Sequence, residues 1–374
     1  MFERRQEIRQ ETLDMVYTFM RRAIKERATD IHWEPFAESQ KDGLVVRFRV
    51  DGLLKDVERL TDEKTSISSL VNAVKLMAEM DPTQRREQQD GRLTFKNEGA
   101  DFDIRVASMP TIIGEKIVMR LMDRARYCMK LEDLGMGQDV LPSVAATISR
   151  AEGFVVISGP TGAGKTTTLY SILQKIYSRE KNICTIEDPV EVKFPGINQV
   201  QVDTSFGMTF VTGLRAIMRQ DPNVIAVGEM RDPETVRTAL EAALTGTLVF
   251  STIHARDSVN TIIRMLDMGV EPFFISNALT GVIAQRLVRL VCKVCKGKGC
   301  QQCSNSGYKK RMGIFEVLRI NDRMRELILK RASAEELRHA ASEEQTVSFA
   351  RSCVPLVEAG LTTKEEIDRV LSLD

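Results

Sequence analysis

No window of the chain holds the roughly 18 apolar residues in a row that a membrane-spanning helix needs. The N-terminus, MFERRQEIRQETLDMVYTF, has no apolar stretch of signal-peptide length. These two absences set the expectation of a cytoplasmic protein, in which thiols stay reduced. An excess of one charge is missing as well. Lys and Arg number 53 against 52 Asp and Glu, so the net charge of +1 exerts no overall pull towards nucleic acid or anionic membrane. Low-complexity segments and internal repeats are absent, which excludes a solenoid and a disordered tail. Seven cysteines are an odd number, which argues against a disulfide framework. What is present, 43% apolar and 28% charged residues, describes a folded chain. Its 374 residues exceed one ordinary core, so two domains with appendages are expected.

Residues 1–28 read as one amphipathic helix, with Ile8, Leu13, Val16, Phe19, Met20 and Ile24 at helical spacing. The period then changes. In GLVVRFRVDGLL, apolar residues alternate with Arg47 and Arg49, and Asp51-Gly52 is a hairpin signal. A helix is expected over about 65–80, followed by strands in DGRLTFKNEGADFDIRVASMP and EKIVMRLMD. Residues 29–125 thus predict a small α+β domain with a mostly antiparallel sheet, and 126–150 a linker. Arg92, Arg105 and Arg120 stand on or beside its strands, where a solvated strand face competes with a phosphate-binding role. From residue 151 onward, short apolar runs (FVVISG, ICTIED, VIAVGE, TLVFSTI) alternate with helical segments near 165–178, 209–219, 233–245 and 257–268. That order predicts an α/β domain over 151–374 with a parallel sheet, closed by a helical part over 320–374.

GPTGAGKTTT, from Gly159 to Thr168, fits the pattern G-x-x-x-x-G-K-[ST] between a strand and a helix. Gly159, Pro160, Thr161, Gly162, Ala163 and Gly164 form a loop whose N–H groups can wrap phosphates. Lys165 would reach the outer phosphates, Thr166 would hold Mg²⁺, and Thr167 continues the helix start. A chance Gly-rich turn is the rival reading, and the flanking strand and helix disfavour it. Ligands of parallel sheets bind at the carboxyl ends of the strands. Glu187 (in TIEDPVE), Glu229 (in VIAVGEMRD) and His254 (in STIHARD) stand at such ends. Carboxylates there can position a metal ion and a water. The rival for Glu229 is a helix cap, but Asp232 and Glu234 already occupy the next helix start. A structural histidine is the rival for His254.

CKVCKGKGCQQC places Cys292, Cys295, Cys300 and Cys303 in two C-x-x-C knuckles within residues 290–313. In a reducing compartment the pattern suits Zn²⁺ in a tetrahedral thiolate site, with a spacing shorter than usual for a ribbon. A redox pair is disfavoured, because no strand–helix start surrounds either knuckle. A nucleic-acid ribbon remains the alternative, since Lys293, Lys296, Lys298, Lys309, Lys310 and Arg311 lie close by, although Tyr308 is the lone aromatic among them. Cys128, Cys184 and Cys353 are isolated and suit core filling.

The chain resembles the secretion ATPase superfamily that powers type II secretion, type IV pilus assembly and competence pseudopili. The resemblance rests on DIHWEP, RFRVDG, QDGR, DFDIRVASMP, GEKIVMRLMD, GPTGAGKTTTLYS, TIEDPVE, LRAIMRQDP, GEMRDPET, AQRLVRLVC and RMGIFEVL, in that order from residue 29 onward. It implies a PAS-like domain followed by a RecA-like ATPase domain, assembled as a homo-hexamer that uses ATP, Mg²⁺ and Zn²⁺. It further implies that Glu187 belongs to an aspartate box, Glu229 is the catalytic glutamate and His254 belongs to a histidine box, while Arg92, Arg105 and Arg120 reach the nucleotide phosphates. Thr247 departs from the histidine that usually opens the histidine box. The tetracysteine insertion implies the extension or secretion branch, and the short N-terminus points towards a competence or minimal pilus system. Expected partners are an inner-membrane platform protein and pilin-like subunits, with the chain peripheral on the inner face of the membrane. A nucleotide-binding scaffold without turnover and a nucleic-acid motor are the alternatives.

Overall fold

The computed structural model describes residues 9–38, 41–61, 67–123, 127, 129–343 and 346–371. The chain divides into two compact units, Met1–Arg124 and Ala125–Asp374.

In the first unit, helix α1 (Gln10–Lys25) is followed by strands β1 (Asp30–Glu38), β2 (Lys41–Val50) and β3 (Leu53–Thr61). Helix α2 (Ile67–Met77) and strands β4 (Gln89–Asn97), β5 (Ala100–Pro110) and β6 (Glu115–Asp123) complete it. The six strands form one antiparallel sheet in the order β3-β2-β1-β6-β5-β4. This is the PAS-like α+β domain. Because side chains alternate across a strand, Ile31, Trp33, Val46, Phe48, Ile104 and Met119 enter the core beneath Val16, Met20, Leu70 and Val74 of the two helices. The opposite face carries the charges. One cross-strand row there holds Arg92, Arg105, Arg120, Asp30 and Arg49 in register. The fully buried Lys75 is satisfied by Glu115 Oε1 at 2.7 Å and the Gln84 carbonyl at 2.6 Å, a pairing that a charge in the interior requires.

The second unit begins with a 3-10 turn (Leu131–Leu134) and helix α3 (Val140–Ile148). Residues 126–150 were expected to be a linker. Instead Leu131 of the 3-10 turn and Val140, Val144 and Ile148, at helical spacing in α3, are buried in the second unit's core. Strand β7 (Gly153–Ser158), helix α4 (Lys165–Ile176), strands β8 (Ile183–Glu187) and β9 (Asn198–Gln201) and helix α5 (Phe210–Met218) follow. Next come β10 (Val224–Val227), α6 (Pro233–Leu244), β11 (Leu248–Ile253), α7 (Ser258–Asp267) and α8 (Pro272–Ala278). The sheet order is β13-β12-β7-β11-β10-β8-β9. It is parallel except for β12 (Leu279–Val291) and β13 (Tyr308–Arg319), which pair as an antiparallel hairpin. Apolar strands buried on both faces explain the continuous Val/Ile runs. This is a RecA-like arrangement.

Helices α9 (Asp322–Leu329) and α10 (Ala334–Glu343) open the helical part expected over 320–374. Helices α11 (Phe349–Glu358) and α12 (Lys364–Leu371) pack on the β12–β13 hairpin. Cys184 and Cys353 are buried; Cys128 lies outside the described residues. No described helix is long and apolar enough to cross a membrane.

Candidate nucleotide and metal sites

The sheet order brings three strand ends together. Strand β7 runs into the Gly159–Gly164 loop, β11 beside it ends before His254, and β10 next to β11 ends before Glu229. Gly162 and Gly164 have φ of 77° and 88°, a left-handed backbone that suits glycine. Lys165 opens α4 and is buried. Its ammonium donates to the Gly159 carbonyl at 2.9 Å, the Pro160 carbonyl at 3.1 Å and His254 Nδ1 at 3.4 Å. A lysine can only donate, so Nδ1 accepts and the His254 proton sits on Nε2. That nitrogen lies 3.6 Å from Glu229 Oε2. Burial, with the Lys165 charge, holds His254 below its usual pKa, so it meets Glu229 as a neutral imidazole. Burial also lowers Lys165 to about 8, opposed by the charge of Glu229.

Lys165, His254 and Glu229 therefore form one connected row beside the loop. Thr166, partly exposed at the head of α4, presents a hydroxyl suited to a hard cation. Asp232 caps α6 by accepting from the Thr235 N–H at 2.8 Å, which leaves Glu229 without a capping duty. Glu187 is placed differently: it is buried at the end of β8 and takes protein donors. Arg92, Arg105 and Arg120 lie in the first unit. Arg92 and Arg120 are exposed, and Arg120 donates to Asp30 at 2.9 Å. Thr247, at the departure from the histidine box, is buried.

Three participants carried no role in the sequence reading. Arg231 forms an ion pair with Glu229. Tyr170 bonds Glu187, and Gln285 bonds the loop at Ala163. Arg231 was visible as the second residue after the glutamate in GEMRD. Nothing local marked Tyr170 or Gln285, because both act across the sheet.

The four knuckle cysteines converge between β12 and β13. Their sulfurs all lie within 4.8 Å of one another, and Cys292–Cys300, Cys295–Cys303 and Cys300–Cys303 are 3.9, 3.7 and 3.7 Å apart. A tetrahedral ion at thiolate–zinc bond length requires sulfurs roughly 3.8 Å apart. The donor set fits such an ion. The Gly299 and Cys300 N–H groups point at Cys295 and Cys303 sulfurs, both at 3.2 Å, as the outer partners of thiolate ligands do.

The family of type II/IV secretion system proteins matches residues 6–369. Type II secretion system protein HxcR of Pseudomonas aeruginosa is 42% identical over 95% of this chain and 76% of its own. Type II secretion system ATPase E of Vibrio cholerae is 41% identical over 96% of this chain and 75% of its own. The type IV pilus assembly ATPase PilB of Thermus thermophilus is 40% identical over 93% of this chain and 42% of its own. Among solved structures, the pilus retraction motor PilT with bound ADP aligns with a TM-score of 0.65 at 27% identity, covering 94% of this chain and 95% of its own. The DotB ATPase of Legionella pneumophila aligns at 0.72 over 95% of both chains, and at 21% identity it speaks for the fold alone.

Proposed function

The chain belongs to the type II/IV secretion system protein family, and on that footing we propose that it is an ATP-hydrolysing motor. In this reading it works as a homo-hexamer that drives an inner-membrane platform protein to assemble a pilin-like filament for secretion, pilus extension or DNA uptake. The observation that carries the reading is the connected row Lys165–His254–Glu229 at adjoining strand ends. The loop N–H groups and Lys165 hold the phosphates. Glu229, oriented by Arg231 and His254, takes a proton from water as its oxygen attacks the γ-phosphorus and the bond to the β-phosphate oxygen breaks. Mg²⁺, held by the Thr166 hydroxyl, neutralises phosphate charge when bound. Gly159, Pro160, Thr161, Gly162, Ala163, Gly164 and Thr167 complete the cradle. Glu187 supports the site from behind.

The row of Arg92, Arg105 and Arg120 is an anion-binding face in this proposal. Arg92, Arg105 and Arg120 stand in register across three strands, and a guanidinium is a planar fork that suits phosphate oxygens. Cys292, Cys295, Cys300 and Cys303 hold a structural Zn²⁺. Identities of 42% to a type II secretion protein and 40% to a type IV pilus assembly ATPase support the extension or secretion branch in this reading.

The test measures ATP hydrolysis and particle mass together, for wild type and Glu229→Gln. Hexamers that turn over ATP, with a variant that binds nucleotide and hydrolyses at least about 100-fold more slowly, support the motor. Well-folded wild-type hexamers no faster than the variant, with platform protein present, overturn it in favour of a scaffold.

A further inference from the structure

We infer that Gln285, on β12, is a positioning residue for the phosphate loop, fixing the peptide unit between Ala163 and Gly164 so that its N–H faces the nucleotide. The inference rests on the reading of Gly159–Thr167 as a nucleotide site.

Strand β12 outruns its neighbour: its pairing with β7 ends at Ala284 opposite Ser158. The next residue of each strand begins the contact. The Gln285 amide nitrogen donates to the Ala163 carbonyl. A Cβ at Gly159 would meet the Gln285 carbonyl oxygen at 2.6 Å, and one at Gly164 would come within 3.1 Å of the Gln285 amide nitrogen. The loop's outer glycines are thus fitted to this residue as well as to a ligand.

Gln285 is 2% exposed, and its Oε1 accepts no hydrogen bond among the described residues. A buried amide with an unused acceptor is a net cost to the fold. An apolar side chain of the same length would fill the place without that cost, so packing alone does not account for a glutamine here. The donor does account for it. In a planar trans peptide the carbonyl and the following N–H point in opposite directions. Holding the Ala163 carbonyl towards β12 turns the Gly164 N–H away from β12, into the loop. Gly164 has φ of 88° and no Cβ, so this peptide is among the easiest in the chain to rotate. Rotated, it would present a carbonyl to the phosphate oxygens, a repulsive contact.

The neighbouring residue extends the arrangement. Arg286, also buried, donates to the Arg256 carbonyl in the loop that follows His254, and to the Gln285 carbonyl at 3.2 Å. Two consecutive side chains of β12 therefore anchor the two loops that carry Lys165 and His254.

The experiment titrates a fluorescent ADP analogue into the full-length chain and measures steady-state ATP hydrolysis for wild type, Gln285→Met and Gln285→Glu. Gln285→Met keeps the length and removes the donor; Gln285→Glu keeps the shape and offers acceptors to a carbonyl. Expected for Gln285→Met is a Kd and KM raised about tenfold, equivalent to about 1.4 kcal/mol. The kcat at saturating ATP stays within about threefold, and Tm without nucleotide stays within a few degrees. Gln285→Glu should lose at least as much affinity. Wild-type binding together with Gln285→Met binding within about twofold overturns the inference alone. So does an affinity loss in both variants that merely tracks a fall in Tm. A wild-type chain that binds no nucleotide overturns the site reading and the inference together.

Discussion

The hydroxyl of Tyr170 donates to the carboxylate of Glu187. Tyr170 comes from α4, the helix that Lys165 opens, and Glu187 ends β8, two strands beyond β11 in the sheet. Thr185 Oγ1 and Gln199 Nε2 also donate to Glu187, at 2.5 and 3.1 Å, so both carboxylate oxygens are engaged. Burial and the Glu187 charge push the Tyr170 phenol well above its ordinary value, which keeps it a donor. A carboxylate so enclosed is poorly placed to accept a proton from a reacting water. It is well placed to hold the phosphate-loop helix against the sheet.

That arrangement yields the first expectation. Tyr170→Phe leaves a lone pair of Glu187 buried without its donor and should destabilise the chain by about 1–3 kcal/mol. Because α4 carries Lys165 and Thr166, ATP turnover should fall further than nucleotide affinity. Thermal unfolding and steady-state kinetics measured on one preparation check this. Unchanged Tm and kcat would show that the contact does not hold the helix.

Lys165 supplies a pH signature. Its folded pKa of about 8 lies below the ordinary 10.5, chiefly through burial. Phosphate oxygens favour the ammonium form, so bound nucleotide raises that pKa. Between the two values, binding must take up a proton, and affinity must fall as pH rises through 8 and beyond, by at most about tenfold per pH unit. Below about pH 7 the lysine is charged in both states, and its contribution flattens. Calorimetric titration of ADP at pH 8.5 in buffers of different ionisation enthalpy should reveal the uptake. Lys165→Arg, charged throughout, should abolish it even where some binding survives.

The strands at the centre of the second unit were legible because they are buried on both faces, and such runs (FVVIS, ICTIE, VIAV) stand out in any chain. The Gly159–Gly164 loop stood out because its pattern is local: six loop residues and a lysine in a fixed order. The hairpin β12–β13 was not anticipated. Arg286, Arg289 and Gln285 interrupt its apolar run, and each donates to a partner far along the chain, at Arg256, Glu366 and Ala163. The partners of Glu187 were hidden for the same reason, since two of its three donors, Tyr170 and Gln199, come from other elements. The segment before β7 was expected to be a linker, yet Val140, Val144 and Ile148 recur at helical spacing, and helix α3 buries them in the core of the second unit.

The last expectation concerns metal removal. The knuckle joins two strands, and its root is fastened to the C-terminal helices. The Val291 N–H donates to the Leu361 carbonyl and Thr362 Oγ1 to the Arg289 carbonyl, both at 2.8 Å. Arg289 lies over the Tyr308 ring at 4.2 Å and donates to Glu366 at 2.6 Å. Burial alone would raise the Glu366 carboxyl, but Arg369 and Arg289 outweigh it and hold it down to about 2. The Glu366 anchor is therefore charged at neutral pH, and loosening the knuckle should loosen α12 as well. Purified protein should contain about one zinc per chain. After chelation, hydrogen exchange should quicken in residues 292–307 and also in 361–371, while β7 and the central strands stay protected. Cys303→Ser should reproduce the pattern without chelator. Faster exchange confined to the knuckle would mean that the C-terminal helices are held by Glu366 and its arginines alone.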